Sequence, residues 1–311
     1  MVARVSAIFN LERRDKMNIL TWNVQWCCGM DGLVSVERIV RHALQMGEQS
    51  GGLDVLCLQE IAVNYPDLQG RPGDQPAELK ALLPGWQIFF GASVDEFTPR
   101  GHQRFGNLIA TRLPVLLVQH YLLPMPAEAD MRCMQRMCSV VTVDDAALGP
   151  VRIMTTHLEY FSARQRMAQA GALRALQMQA CALADAPPQP ASDGSPYQTK
   201  PHTRHAVLCG DFNFEPHEPE YAVLSAPWVA GEEGCLQAGQ WRNSWDVLYP
   251  GQPQPPTFRL VDRTWGAEPG ACDLIWVSDS LCQRLHTWSV DSATQASDHQ
   301  PVMLTLGCAS C

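Results

Sequence analysis

Eleven short runs rich in Val, Ile, Leu and aromatic residues follow one another along the chain, at 18–24, 53–58, 86–91, 106–111, 114–123, 137–143, 151–157, 205–210, 272–278, 285–290 and 301–306. Runs of this length and composition, bounded by turn formers, read as β-strands. Helical patterning is confined to about 35–48 and 76–83 and to a long segment that starts at Ser162, where the Ser hydroxyl caps the helix and Gln165 completes a capping box. Many strands in series with few helices predict an α+β sandwich rather than a doubly wound parallel sheet. The four runs after residue 204 are expected to complete a second sheet.

Between the long helix and the strand at 205 lies "APPQPASDGSPYQTKPHTR", a Pro- and Ser-rich stretch that is expected to be a mobile loop at 186–204 inside one domain. No repeat of solenoid or propeller period is present. Residues 1–16 read as a flexible extension and 308–311 as a tail, leaving 17–307 as a single domain, with Met17 a second candidate start.

Charge and cysteine content narrow the class of partner. The net charge is -9, and Lys16, Lys80 and Lys200 are the only lysines. A broad basic footprint for duplex DNA is therefore absent, although a local Arg cluster still has the chemistry to grip phosphate. Cys57, Cys138, Cys209 and Cys272 sit inside apolar runs, where free Cys acts as a small hydrophobe, so a reducing compartment is expected. Cys308 and Cys311 form a CxxC with no second pair or His at finger spacing, and read as a frayed end. No segment has the length of a membrane span or a signal peptide. A soluble, cytoplasmic monomer is the expectation.

Polar residues stand at the ends of six runs or beside them. Asn23 follows "NILTW", Glu60 follows "DVLCLQ", His157 follows "VRIMTT", and Asp211 and Asn213 follow "AVLCG". Asp273 opens "DLIWVS", and Asp298 and His299 precede "QPVMLTL". A lone carboxylate or amide in such a place is usually a turn former. The set as a whole has the composition that phosphoester hydrolysis needs. A hard divalent cation takes oxygen ligands, for which Glu60, Asp298, Asn23 and Gln25 are candidates. A base, a partner that orients an imidazole and donors for the phosphoryl oxygens are then available from Asp211, His299, Asp273, Asn213 and His157.

Six segments, "TWNVQ", "LCLQE", "TTHL", "GDFN", "CDLIWVS" and "SDHQPV", resemble in order the signature segments of the endonuclease/exonuclease/phosphatase superfamily, also called deoxyribonuclease-I-like. The resemblance implies a four-layer α/β/β/α sandwich of two mainly antiparallel sheets, with Mg²⁺ or Mn²⁺ as cofactor. It implies metal ligation by Glu60, Asn23 and Asp298, and catalysis by Asp211, Asn213, His157 and a His299–Asp273 pair. Whether His299 acts as base or as phosphate ligand stays open, as does the number of metals. Arg136 resembles an arginine near the family's cleft, and Gly106 and Asn107 echo a segment that sets backbone shape. The abasic-site branch usually has an acidic residue where this chain has Gln25.

The expected activity is a metal-dependent phosphodiesterase on a small, lipid or nucleotide substrate. A DNA or RNA nuclease using Arg100, Arg104 and Arg136 is the second reading, with "PRGHQRF" at 99–105 as its contact segment. An inactive interaction module is the third. His42, His120 and His286 read as packing or surface residues.

Overall fold

The computed structural model describes residues 16–228 and 239–307. The expected N-terminal extension, apart from Lys16, and the C-terminal CxxC lie outside these residues. Two six-stranded sheets form the body. The first contains β1 (Lys16–Asn23), β2 (Val55–Val63), β3 (Gln87–Thr98), β4 (Gly101–Thr111), β11 (Leu285–Val290) and β12 (Val302–Gly307), in the order β11-β12-β1-β2-β4-β3. The second contains β5 (Val115–Leu122), β6 (Met137–Asp145), β7 (Gly149–His157), β8 (Ala206–Asp211), β9 (Trp241–Asn243) and β10 (Asp273–Ser278), in the order β5-β6-β7-β8-β10-β9.

Side-chain alternation makes the layers. Ile19, Cys57, Ile153, Val207 and Ile275 meet between the sheets. Leu20, Leu56 and Leu58, on the other face of the first sheet, pack on Ile39, Val40 and Ala43 of α1 (Val36–Glu48) and Leu79 of α2 (Gln75–Leu82). Met154, Leu208 and Trp276 pack on Ala170 and Leu173 of α3 (Ala163–Asp185). Strands covered on both faces have no solvent side, which explains why β1, β8, β10 and β12 are apolar without alternation. The four-layer sandwich is thus present. Each sheet is mixed, with one parallel pairing, β1–β2 or β7–β8, among antiparallel ones.

Two expectations need correction. The runs at 285–290 and 301–306 do not complete the second sheet. β12 pairs antiparallel with β1 in the first sheet, and β11 pairs with β12. A central strand needs a neighbour on each side, and β12 is the one that β1 finds opposite β2. The second sheet is closed instead by β9, whose three residues are too short for a period to show. The capping box at Ser162 is only half formed. Ser162 Oγ accepts from the Gln165 backbone N–H at 3.0 Å, but the Gln165 side chain donates to the Pro126 carbonyl at 3.1 Å. Short helices α4 (Pro219–Ser225) and α5 (Ser244–Leu248) complete the description. The stretch 186–204 contains no helix or strand.

One glycine fixes how the site is approached. Gly210, the penultimate residue of β8, has φ +140°, and a Cβ there would lie 1.9 Å from the Thr156 carbonyl oxygen of β7. Gly210→Ala should therefore lower the unfolding free energy by about 3 kcal/mol, combining left-handed strain with overpacking against backbone. Urea denaturation checks this, and a change below about 0.5 kcal/mol, the range of an ordinary surface substitution, would contradict it.

Candidate active site at the strand ends

The sheet topology brings the polar strand ends to one place. In each parallel pair the two strands finish at the same edge, so β1 and β2 deliver Asn23 and Glu60, and β7 and β8 deliver His157 and Asp211. β10 and β12 run the other way and start where those strands stop. Asp273 opens β10 directly opposite Asp211, so that His157, Asp211 and Asp273 form one row across three strands. Asp298 and His299 lead into β12 beside the end of β1.

Glu60 reaches the cleft through a defect in its strand. Leu58 faces the helices, while Gln59 points between the sheets and donates to Thr155 Oγ1 at 2.8 Å. Regular alternation would send Glu60 back toward the helices. The β2–β4 register instead shifts between Leu58 and Ile61, and Glu60 takes φ +61°. A bulge of this kind re-aims a side chain. Gln25, Trp26 and Asn213 also have positive φ, at 46°, 43° and 51°. Such strain collects where the surrounding structure holds a functional group in place.

A connected polar network results. Asn23 Nδ2 donates to Glu60 Oε1 at 3.1 Å and to Asp211 Oδ2 at 2.9 Å. Asp211 Oδ2 lies 3.4 Å from His157 Nε2 and 3.6 Å from His299 Nε2, and Asp211 Oδ1 accepts from the Asn213 N–H at 2.9 Å. His299 Nδ1 meets Asp273 Oδ2 at 2.9 Å. The His299 ring is stacked on Phe258 with centroids 4.2 Å apart, and the indole of Trp22 donates to its carbonyl at 2.9 Å. Ser297 Oγ donates to the Asn23 carbonyl at 2.8 Å and reaches Asp298 Oδ1 at 3.2 Å. Asn213 Nδ2 donates to the Leu158 carbonyl at 3.0 Å.

The electrostatics divide the groups. Burial, then the Asp298 charge, pushes the Glu60 carboxyl up to about 7. Burial also raises Asp298. Burial opposes ionisation of both Asp211 and His299, yet nearby charge outweighs it: His299 and then His157 act on Asp211, and Asp273 and then Asp211 act on His299. Asp211 is held below the usual carboxylate range and His299 well above the usual imidazole range. The pair is an imidazolium facing carboxylates. Burial, then Arg136, pushes His157 down to about 3, so its ring is neutral at pH 7.

This last shift makes a stability prediction. Between its ordinary value of 6.5 and about 3, the unfolded chain binds a proton at His157 that the folded chain refuses, so stability falls as pH drops through that window. In metal-free protein His157 should account for about 3 kcal/mol of the loss between pH 7 and pH 4. His157→Asn should flatten the curve by that amount in urea titrations at the two pH values. An unchanged slope would mean that the His157 ring is charged in the fold.

The cleft has a volume of about 450 Å³ and is lined by Gln25, Glu60, His157, Asp211, Asn213, Asp298 and His299, with an aromatic rim that includes Trp26, Tyr65, Tyr160 and Trp265. Arg136 also lines it, but is 5% exposed and donates through Nε to Glu159 Oε2 at 3.1 Å. Arg104 is not among the lining residues. Its guanidinium lies over the Phe90 ring at 5.6 Å, while its neighbour Phe105 faces the cleft. Arg100 is an exposed partner of Asp67 at 3.3 Å. His42 bonds Asp291 and His120 bonds Ser139, both away from the lining. Gly106 serves backbone approach, since a Cβ there would meet the Gly91 carbonyl oxygen at 1.9 Å.

Sequence reading missed Glu159, Phe258 and Trp22. Glu159 stands two residues past His157, which is a faint signal. Nothing local marks Phe258 or Trp22, because Phe258 acts by stacking on the His299 ring and Trp22 by a hydrogen bond to the His299 carbonyl, both across long sequence separations.

Among the described residues the His/Cys/Asp/Glu group whose ligand atoms lie closest together is Asp211, Cys272 and His299, all within 4.8 Å. Burial pushes the Cys272 thiol well up, and its Sγ donates toward Asp273 Oδ2 at 3.8 Å. A protonated thiol beside an imidazolium is a poor ligand set. Glu60 and Asp298 offer hard carboxylate oxygens, and the Asp298 charge adds to the upward shift of Glu60, while Asn23 Oδ1 accepts from the Gln25 N–H at 3.1 Å and keeps a second lone pair. These oxygens suit Mg²⁺ or Mn²⁺.

Residues 192–299 match the model of the endonuclease/exonuclease/phosphatase family. An endonuclease/exonuclease/phosphatase from Beutenbergia cavernae superposes with a TM-score of 0.63 at 22% identity, over 96% of this chain and 72% of that one. The chain has the endonuclease/exonuclease/phosphatase fold. Two other solved structures share that fold. The mannosyl-6-phosphatase of Bacteroides thetaiotaomicron has a TM-score of 0.60 at 16% identity, over 93% of this chain and 98% of that one. The human Nocturnin catalytic domain with bound sulfate has 0.56 at 20%, over 94% of each. No curated protein matches the chain. The endonuclease/exonuclease/phosphatase match contains Asp211, Asn213, Asp273, Asp298 and His299, and leaves Asn23, Glu60 and His157 outside it.

Proposed function

We propose that the chain is a divalent-metal-dependent phosphoester hydrolase acting on a small, lipid or nucleotide phosphodiester. The observation that carries this reading is the charge of the cleft. The His299 imidazolium lies between Asp273 and Asp211, Arg136 is paired with Glu159, and Arg132, the other arginine of the lining, sits over the Phe161 ring, which leaves Glu60 and Asp298 at one opening with no Arg or Lys among the described residues paired with them. A phosphate anion does not enter such a site unaided. A divalent cation held by Glu60, Asp298 and Asn23 would balance the charge and, when bound, act as a Lewis acid on a phosphoryl oxygen.

The chain's own groups take the remaining roles. Asp211, ionised and fixed by Asn23 and the Asn213 N–H, accepts the proton of the attacking water. His299, kept protonated and oriented by Asp273, donates to a phosphoryl oxygen. Neutral His157, facing Asp211, and the second amide N–H of Asn213 provide further donors. The aromatic rim suits an apolar or aromatic leaving group. The sulfate on Nocturnin, a tetrahedral oxyanion like phosphate, supports a phosphate-class ligand for the shared fold. Arg100, Arg104 and Arg136 do not converge into a grip for polymeric nucleic acid.

The test is a substrate panel with Mg²⁺ and Mn²⁺: bis-(p-nitrophenyl) phosphate, p-nitrophenyl phosphate, supercoiled plasmid, an oligoribonucleotide and sphingomyelin. Turnover of the small diester is expected to exceed that of the polymers. Cleavage of plasmid or RNA alone would establish the nuclease reading, and inertness toward all five the interaction-module reading.

A further inference from the structure

On the far side of the second sheet a cation is buried with no counter-ion among the described residues. Arg152 lies near the start of β7, under α3, and is 8% exposed. Its Nη2 donates to the Gln177 amide oxygen and its Nη1 has only the Met154 sulfur at 3.7 Å. Its Nε is buried with no hydrogen-bond partner, and among the described residues no carboxylate pairs with the guanidinium. Burial pushes the group down to about 10, and no Asp or Glu acts to raise it. A buried charge without a counter-ion is costly, which favours uptake of an anion from solution.

Space for one exists. A pocket of about 140 Å³ opens on Arg152, closed on one side by the segment Lys200–Thr203 of the Pro-rich stretch. Lys200 and His202 line it together with the polar side chains of Tyr121, Thr142 and Gln179, and none of its lining residues is acidic. In a chain of net charge -9 that concentration of positive charge is local, with only Asp193, outside the pocket lining, acting on Lys200. Lys200 Nζ uses one donor on the Gln198 carbonyl at 3.0 Å, leaving two. The volume is below the roughly 300 Å³ of sites for drug-sized ligands, which points to a single small ion.

We propose that this pocket binds a small tetrahedral oxyanion of the phosphate class, held by the Arg152 guanidinium and the Lys200 ammonium. The guanidinium offers paired N–H donors to two oxygens, and the hydroxyls of Tyr121 and Thr142 complement the others. The pocket is separate from the strand-end cleft, because Arg152 and His157 are five residues apart along β7, roughly 17 Å. The inference stands whether or not the chain is a hydrolase.

Thermal melting of the full chain in EDTA, titrated with sodium phosphate against sodium chloride of equal ionic strength, tests it. Phosphate is expected to raise Tm saturably, as for a ligand of the folded state alone. The rise should persist in Asp211→Asn, which perturbs the cleft, and vanish in Arg152→Met. Lys200→Ala, an exterior change, should weaken apparent binding by about tenfold, the worth of one charge-assisted hydrogen bond, and keeps the test decisive if Arg152→Met does not fold. Sulfate should reproduce the effect and acetate should not. General stabilisation by excluded anions would be equal in all variants, so an equal rise in Lys200→Ala or Arg152→Met overturns the site. Absence of any rise over chloride also overturns it, and an equal rise with acetate overturns the phosphate class.

Discussion

Asp273→Asn is expected to lower kcat by about three orders of magnitude while the protein stays folded, because the substitution keeps shape and removes only the charge that holds the His299 proton. Asp273 is fully buried, is joined to His299 Nδ1 at 2.9 Å and anchors its own N–H on Thr257 Oγ1 at 3.1 Å. An amide there no longer favours the imidazolium, and the donor to the phosphoryl oxygen is lost. His299→Ala should cost as much. The double variant should cost little more than His299→Ala alone, since groups that act as a unit are not additive. Steady-state kinetics of the two single variants and the double variant check this, and losses that simply multiply would separate the two residues.

Glu60→Gln should weaken Mg²⁺ binding by about a hundredfold or more, because a neutral amide replaces the anionic oxygen that a hard cation prefers. The fold should survive. The carboxylate contributes one hydrogen bond, from Asn23 at 3.1 Å, and burial already raises its pKa to about 7. Removing that charge from a metal-free cleft relieves repulsion with Asp298, so apo Glu60→Gln should melt no lower than the apo parent at pH 8. Calorimetric titration with Mg²⁺ reads the affinity, and unchanged binding would remove Glu60 from the metal site.

The strands were legible because apolar composition is a local property, and each of the eleven runs overlaps a strand, although β2, β3 and β4 extend five to seven residues beyond the runs into less apolar sequence. The partition of strands between sheets was not. Whether β12 joins β1 or β10 depends on pairing across almost the whole chain, and no local pattern encodes it. The site residues were legible as types at strand ends. Their meeting follows from parallel pairs that finish, and antiparallel strands that start, at the same edge. What escaped was the machinery around them: the bulge that turns Glu60, the stacking of Phe258 on His299, and the pairing of Arg136 with Glu159. Arg104 shows the converse. Its charge stands out in sequence, but strand alternation puts Phe105 into the cleft and Arg104 onto Phe90.

The central claim is that Glu60 and Asp298, at the strand ends, hold a divalent cation in a phosphoester-cleaving site. The rate of bis-(p-nitrophenyl) phosphate hydrolysis, followed as Mg²⁺ is added back to EDTA-treated protein, tests it most directly. The account predicts no turnover in EDTA, a saturable rise with Mg²⁺, and a rise displaced to much higher Mg²⁺ in Glu60→Gln. Full turnover in EDTA, or a Mg²⁺ dependence that Glu60→Gln leaves in place, would contradict it.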